Sequence, residues 1–132
     1  MNDFHGSRKT IQAAVLTVAA AITPAHAADE QRPNAAAVRP LYQAGALFVD
    51  VRTDEEWAAG HLKTAIHLPV DQVSDKAGSV LPDKTKPIVT YCRSGARAQK
   101  AAGILRELGY THVTAMTGGY DDLKAAGYSV AP

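Results

Sequence analysis

The sequence predicts an α/β fold, with a mostly parallel central sheet and helices on both faces. Short β-rich runs alternate with helical patterns four times between Leu47 and Ala126. Alternation of that kind closes into a parallel sheet covered by crossover helices. The first β run, Leu47-Phe48-Val49-Asp50-Val51, is almost continuously apolar, which marks a strand buried on both faces.

The elements follow in order. Residues 40–44 form a short helix ended by Gly45, and residues 47–51 the first strand. Thr53-Asp54-Glu55-Glu56 is a capping box, in which the threonine side chain caps and Glu56 reaches back. The helix it starts carries Trp57 and stops at Gly60, a suitable residue just past a helix end. Residues 65–68 are a second strand closed by Pro69; residues 71–77 are a helical turn and 78–86 a loop. Residues 87–91 make the third strand. The helix over 98–108 then places Ala98, Ala101, Ala102, Leu105 and Leu108 on one side, before Gly109. Residues 113–116 are the fourth strand, and Gly118-Gly119 opens a last helix over 120–126, ended by Gly127.

A chain of 132 residues holds at most one domain. Arg8 and Lys9 precede a mostly apolar run over 11–22, and Ala25-His26-Ala27 follows as a small-x-small site. Residues 1–27 therefore read as a secretory signal peptide. The apolar run falls short of the roughly 20 residues that span a bilayer. Residues 28–39, alanine-rich with Pro33, read as a flexible leader, and residues 40–132 as the domain. A periplasmic or secreted protein is expected, with no membrane attachment after cleavage. Arg8 and Lys9 are two of the 14 basic residues and Asp3 one of the 13 acidic ones, leaving 12 of each beyond Ala27. That balance excludes a general binder of nucleic acid or of membrane surfaces. A near-neutral domain of this size is expected to be a monomer.

Cys92 is the single cysteine, so the chain has no internal disulfide. In an oxidising compartment an idle surface thiol is a liability, so this one is either buried or useful. It stands where the third strand meets Arg93-Ser94-Gly95-Ala96-Arg97, at the carboxyl edge where parallel sheets bind ligands. N–H groups of such a turn, and of the helix after it, favour a thiolate and any anion it attacks. Positive charge gathers here too, with Arg93, Arg97, Lys100 and Arg106 against Glu107 alone. Cys92 is thus the candidate nucleophile, and a small buried hydrophobe is the alternative. His61 and His67 are candidate acid/base groups. No Cys or His pair has zinc-ligand spacing, so no metal or other cofactor is expected.

Several segments together resemble a rhodanese domain. Asp50-Val51-Arg52, Glu55-Glu56-Trp57, Gly60-His61-Leu62 and Ala65-Ile66-His67-Leu68-Pro69 are similar to its opening. Cys92-Arg93-Ser94-Gly95-Ala96-Arg97 is similar to its active-site loop, and Gly118-Gly119 with Ala126-Gly127-Tyr128-Ser129-Val130 to its close. The likeness runs over about residues 41–130. It implies a small exported thiosulfate sulfurtransferase in which Cys92 accepts sulfur. The loop of Arg93, Ser94, Gly95, Ala96 and Arg97 would bind the substrate and hold the persulfide. The implied partners are a small-molecule sulfur donor and a cyanide or thiol acceptor.

Within that likeness, Arg93 is a candidate for the sulfonate end of thiosulfate, and Arg97 for orienting the loop. Asp50 and Arg52 would support the site's frame through ion pairs, and the histidine after glycine looks structural. Four residues separate Cys92 from Arg97, whereas tyrosine-phosphatase-type loops place arginine six residues after the cysteine. The shorter loop resembles sulfur-transferring members. Alternatives are a sulfur carrier or binding module of the same fold, and a cysteine-dependent phosphatase or arsenate reductase. Lys63-Thr64 replaces the usual Pro-Gly, and Leu123 a common tryptophan, which should leave the chemistry untouched.

Overall fold

The computed structural model describes residues 32–132, so the expected signal peptide lies outside the described residues. In chain order the elements are α1 (Arg39–Gln43), β1 (Leu47–Asp50), α2 (Asp54–Ala58), β2 (His61–Leu62) and β3 (Ile66–His67). A 3-10 turn (Val70–Gln72) leads into α3 (Val73–Val80). Then come β4 (Ile88–Cys92), α4 (Ala96–Glu107), β5 (Val113–Gly119), α5 (Tyr120–Ala125) and β6 (Val130–Ala131).

The central sheet has four strands in the order β3-β1-β4-β5, all parallel. Strand residues point alternately to opposite faces, so each buried strand feeds two cores. On one face Val49, Val51, Ile88 and Ala115 pack with Val73 and Ala77 of α3 and Ala98, Ala101, Ala102 and Leu105 of α4. On the other face Phe48, Val89, Tyr91 and Met116 pack with Leu123 of α5, while Leu41 and Tyr42 of α1 lie against them. Helices thus cover both faces, as expected. The buried Thr90 hydroxyl donates to the Ala98 carbonyl at 2.8 Å, tying the third strand in the chain's parallel sheet to the helix that follows the cysteine.

Several boundaries differ from the sequence reading, among them the end of β5, which runs on to Gly119 instead of residue 116. Strand β4 runs through Cys92, which is its last residue, and α4 starts at Ala96 instead of residue 98. Helix α3 reaches Val80, taking in part of the expected loop over 78–86. Leu108, expected on the packed side of its helix, caps the helix and is the exposed large hydrophobe among the described residues. Strands β2 and β6 pair antiparallel in a small second sheet that no local pattern announced. A two-residue pairing is too short to show a period.

The flexible leader over 28–39 is also corrected for its described part. The Thr117 N–H donates to the Pro33 carbonyl at 2.7 Å, closing the outer edge of β5. The Tyr128 hydroxyl donates to the Ala35 carbonyl at 2.7 Å, and Val38 is fully buried. Composition hid this, because burial of one valine and one alanine depends on the tyrosine and strand edge they meet. Val38→Ala is therefore expected to cost roughly 1–3 kcal/mol in urea denaturation. A freely moving leader would show no change.

Candidate active site

Cys92 is completely buried at the end of β4. Its Sγ accepts a hydrogen bond from the Gly95 N–H at 3.0 Å. Gly95 makes this turn possible at φ 118°, a backbone region that side chains disfavour. It is also the N-cap of α4, and no side chain caps that helix. The positive end of a 12-residue helix thus lies at the thiol. An inert buried cysteine needs neither feature.

Gly119 is the N-cap of α5, as expected, and it has a second role. It pairs in register with Cys92, in extended backbone at φ −169°. A Cβ there would collide with the carbonyls of Cys92 and Arg93. Only a residue without a side chain lets β5 lie this close under the Cys92 peptide.

Arg97 is turned to Glu56, with Nη1 donating to Oε1 at 2.7 Å and Nη2 to Oε2 at 3.1 Å. Glu56 completes the expected capping box as well: the Thr53 N–H donates to its Oε1, and the Glu56 N–H to the Thr53 hydroxyl. The Arg97 hydrogen bonds lead in holding the Glu56 carboxyl at about 2, well below its ordinary 4.5. Arg97 is held charged in turn, first by Glu56 and with a smaller contribution from Cys92. This loop arginine is thus a positioning residue, fastening the first turn of α4 to α2. Sequence reasoning found the cap and missed its second partner, which lies 41 positions away.

Asp50 and Arg52 form the buried pair expected of them. The Arg52 Nη2 donates to Asp50 Oδ2 at 2.7 Å and to the Gly60 carbonyl at 2.7 Å, and Nε to Oδ1 at 2.9 Å. Burial opposes the guanidinium charge, and Asp50 more than offsets it. The ring of Tyr120 lies 4.5 Å from this guanidinium. Nearby, burial and then the Asp50 charge push the Tyr91 phenol up, so it stays neutral and accepts from the Leu62 N–H at 3.0 Å.

Arg93, Ser94 and Ala96 are exposed on the loop. The histidines are engaged elsewhere. His61 stacks on Trp57 at 3.5 Å and donates from Nδ1 to the Trp57 carbonyl at 2.8 Å. His67 stacks on the same indole at 4.6 Å and donates from Nε2 to the Arg52 carbonyl at 3.0 Å. Both are structural. Arg32, which sequence reasoning passed over, reaches the loop: its Nη1 donates to the Gly95 carbonyl at 3.4 Å. Among the described residues, no group of three or more His, Cys, Asp or Glu side chains is placed to hold a metal ion. No described helix is long and apolar enough to cross a membrane.

The model of the rhodanese-like domain matches residues 34–126. The chain belongs to the rhodanese-like domain family. Thiosulfate sulfurtransferase PspE of Escherichia coli (strain K12) is 36% identical over 76 residues, covering 58% of this chain and 72% of that protein. A tRNA uridine(34) hydroxylase of Erwinia tasmaniensis is 37% identical over 78 residues, 56% of this chain, but the match spans only 22% of that protein. Among solved structures, a rhodanese with anions from E. coli is 31% identical with a TM-score of 0.59, covering 66% of this chain and 98% of that one. Rhodanese-like domains thus occur in relatives named for different activities.

Two outcomes test the geometry of this rhodanese-like site. Gly119→Ala is expected to destabilise by at least about 1–3 kcal/mol, because backbone cannot yield as a flexible side chain would. Gly103→Ala, within α4 and with open space around it, should instead stabilise by roughly 0.5–1 kcal/mol in the same urea titration. Glu56 is depressed in the folded state, so its stabilisation is complete above pH 4.5 and is lost as pH falls toward about 2. Glu56→Gln should lower stability near neutral pH by about 1 kcal/mol, the pair being partly exposed. It should also flatten the acid limb of the stability curve in that window.

Proposed function

We propose that this rhodanese-like domain is a thiosulfate sulfurtransferase working through a persulfide on Cys92. The observation that carries this reading is the Gly95 N–H donated to Cys92 Sγ at the N-terminus of α4. Such a donor favours the thiolate over the thiol, and the thiolate is the nucleophile. The thiolate attacks the outer sulfur of thiosulfate and forms an S–S bond. The bond to the sulfonate sulfur breaks, and its electron pair leaves with sulfite. Cyanide or a thiolate then attacks the outer sulfur of the persulfide. The Cys92–sulfur bond breaks, its electrons return to Cys92, and thiocyanate or a new persulfide departs. Fixed backbone donors stabilise the anionic sulfur in both halves, and neither half needs a metal or other cofactor.

The name of the E. coli relative PspE supports the donor assignment. The engagement of Arg97 by Glu56 supports sulfur over phosphate, because no loop arginine is left to clamp a phosphoryl group from that position. The proposal includes export: cleavage after Ala27 would release a monomeric protein to the periplasm or the medium. A second reading, a sulfur carrier of low turnover, is favoured by one observation, the complete burial of Cys92.

Purified protein given thiosulfate and cyanide is expected to produce thiocyanate, and Cys92→Ser none. Mass spectrometry after thiosulfate alone should find one added sulfur on Cys92. Persulfide with negligible thiocyanate selects the carrier. Thiocyanate production that survives Cys92→Ser overturns both readings. Aryl phosphate or arsenate turnover lost in the same variant would establish the phosphatase or reductase alternative.

A further inference from the structure

A cleft of about 390 Å³ opens beside Arg93, with Arg52, Glu56, Tyr120, Asp121 and Lys124 among its walls. Its charges are not all available. Arg52 is committed to Asp50, and Glu56 to Arg97. Among the described residues the side chains of Arg93 and Lys124 make no hydrogen bond or ion pair, and both residues are exposed. Among the described residues Asp121 is the one carboxylate of the cleft left without a cation. An anion entering here meets two unpaired cations, one of them the residue next to the nucleophile. Tyr120 and Lys124 are four apart on α5 and share one face of the helix. The Tyr120 ring, held over Arg52, gives the cleft an apolar wall.

The volume matters as much as the charge. Thiosulfate is two sulfurs and three oxygens and needs only a small part of this space, which lies within the roughly 300–1,000 Å³ of small-molecule sites. We propose that the cleft is the acceptor subsite and takes small thiols whose tails carry carboxylates, held by Lys124 and Arg93. This inference rests on the sulfurtransferase reading. Sulfite departs before the acceptor arrives, so Arg93 can serve the donor's sulfonate first and the acceptor's carboxylate second. The acceptor thiol loses its proton to solvent and its sulfur attacks the outer sulfur of the Cys92 persulfide. A new S–S bond forms, the bond to Cys92 Sγ breaks, and the electron pair stays on Cys92. Lys124 is then a specificity-determining residue: it binds the tail and leaves the reacting sulfurs alone.

The test compares acceptors that differ in the tail: mercaptosuccinate with two carboxylates, uncharged 2-mercaptoethanol, and cationic cysteamine. Initial rates are taken with thiosulfate as donor. In Lys124→Glu, the ratio of KM for mercaptosuccinate to KM for 2-mercaptoethanol is expected to rise about tenfold, with the cysteamine ratio moving the opposite way. Lys124→Gln should lie between. Equal effects on all three acceptors, or none, would overturn the proposal. Succinate, which has no thiol, separates this from the reading beneath it. Titrated into the unloaded protein, it should give saturable NMR shifts at the amides of Tyr120 and Lys124 that are lost in Lys124→Glu. Absence of shifts in the wild type removes the subsite whatever the sulfur chemistry. Wild-type protein that forms no persulfide from thiosulfate removes the sulfurtransferase reading, and the succinate titration still decides whether the cleft binds carboxylates.

Discussion

The buried Asp50–Arg52 pair organises this molecule. Arg52 has 5% of its surface exposed and Asp50 none, a position a charge holds only when its partner and further acceptors complete it. The Gly60 carbonyl supplies the last acceptor, and the Tyr120 ring covers the guanidinium. One side chain thereby joins the end of β1, the turn before β2 and the start of α5. These elements come from distant parts of the chain and meet around the cysteine loop. Removing either member would leave the other charged and dry, so the two act as one unit.

The remaining cations divide by whether they have a counter-ion. Arg52 and Arg97 are neutralised by Asp50 and Glu56, and their work is mechanical. Arg93 and Lys124 carry their charge into the cleft beside the loop. The thiol itself is hydrogen-bonded by a backbone amide instead of a side chain. A backbone donor at a helix N-terminus keeps its position without the entropy cost of ordering a long side chain, which suits the proposed stabilisation of sulfur anions in two successive steps. Glu56 links the two groups of charges. Its one carboxylate caps α2, pairs with the loop arginine and borders the cleft.

Much of the fold was legible in the sequence because its signals are local. Alternating β-rich and helical runs, the Thr53–Glu56 box and the small-residue stripe of Ala98, Ala101 and Ala102 each lie within a few turns of chain. The centre of the site was legible for the same reason, since Cys92, its loop glycine and the helix after it are contiguous. Errors gathered where the deciding partner is remote. The segment around Val38 looked loose until Tyr128 and Thr117 were seen to hold it. The β2–β6 pairing joins His61 to Ala131 across most of the domain.

By itself, the sequence determined the class of fold, the position of the lone cysteine at a strand end and the capping of α2, all consequences of periodicity and short-range hydrogen bonding. Tertiary structure alone decided what each charge is for. Arg97 could have faced a substrate or a carboxylate, and its place opposite Glu56 depends on how α2 and α4 sit on the sheet. Gly119 opens α5 as its sequence suggested, but the register of β5 against β4 adds a demand the sequence did not show: a Cβ there would meet the Cys92 carbonyl. Lys124 was an ordinary surface lysine until α5 packed Leu123 inward and left its neighbour in the wall of the cleft that Arg93 also lines. Pairings of this kind are set by packing over long separations, and no local pattern encodes them.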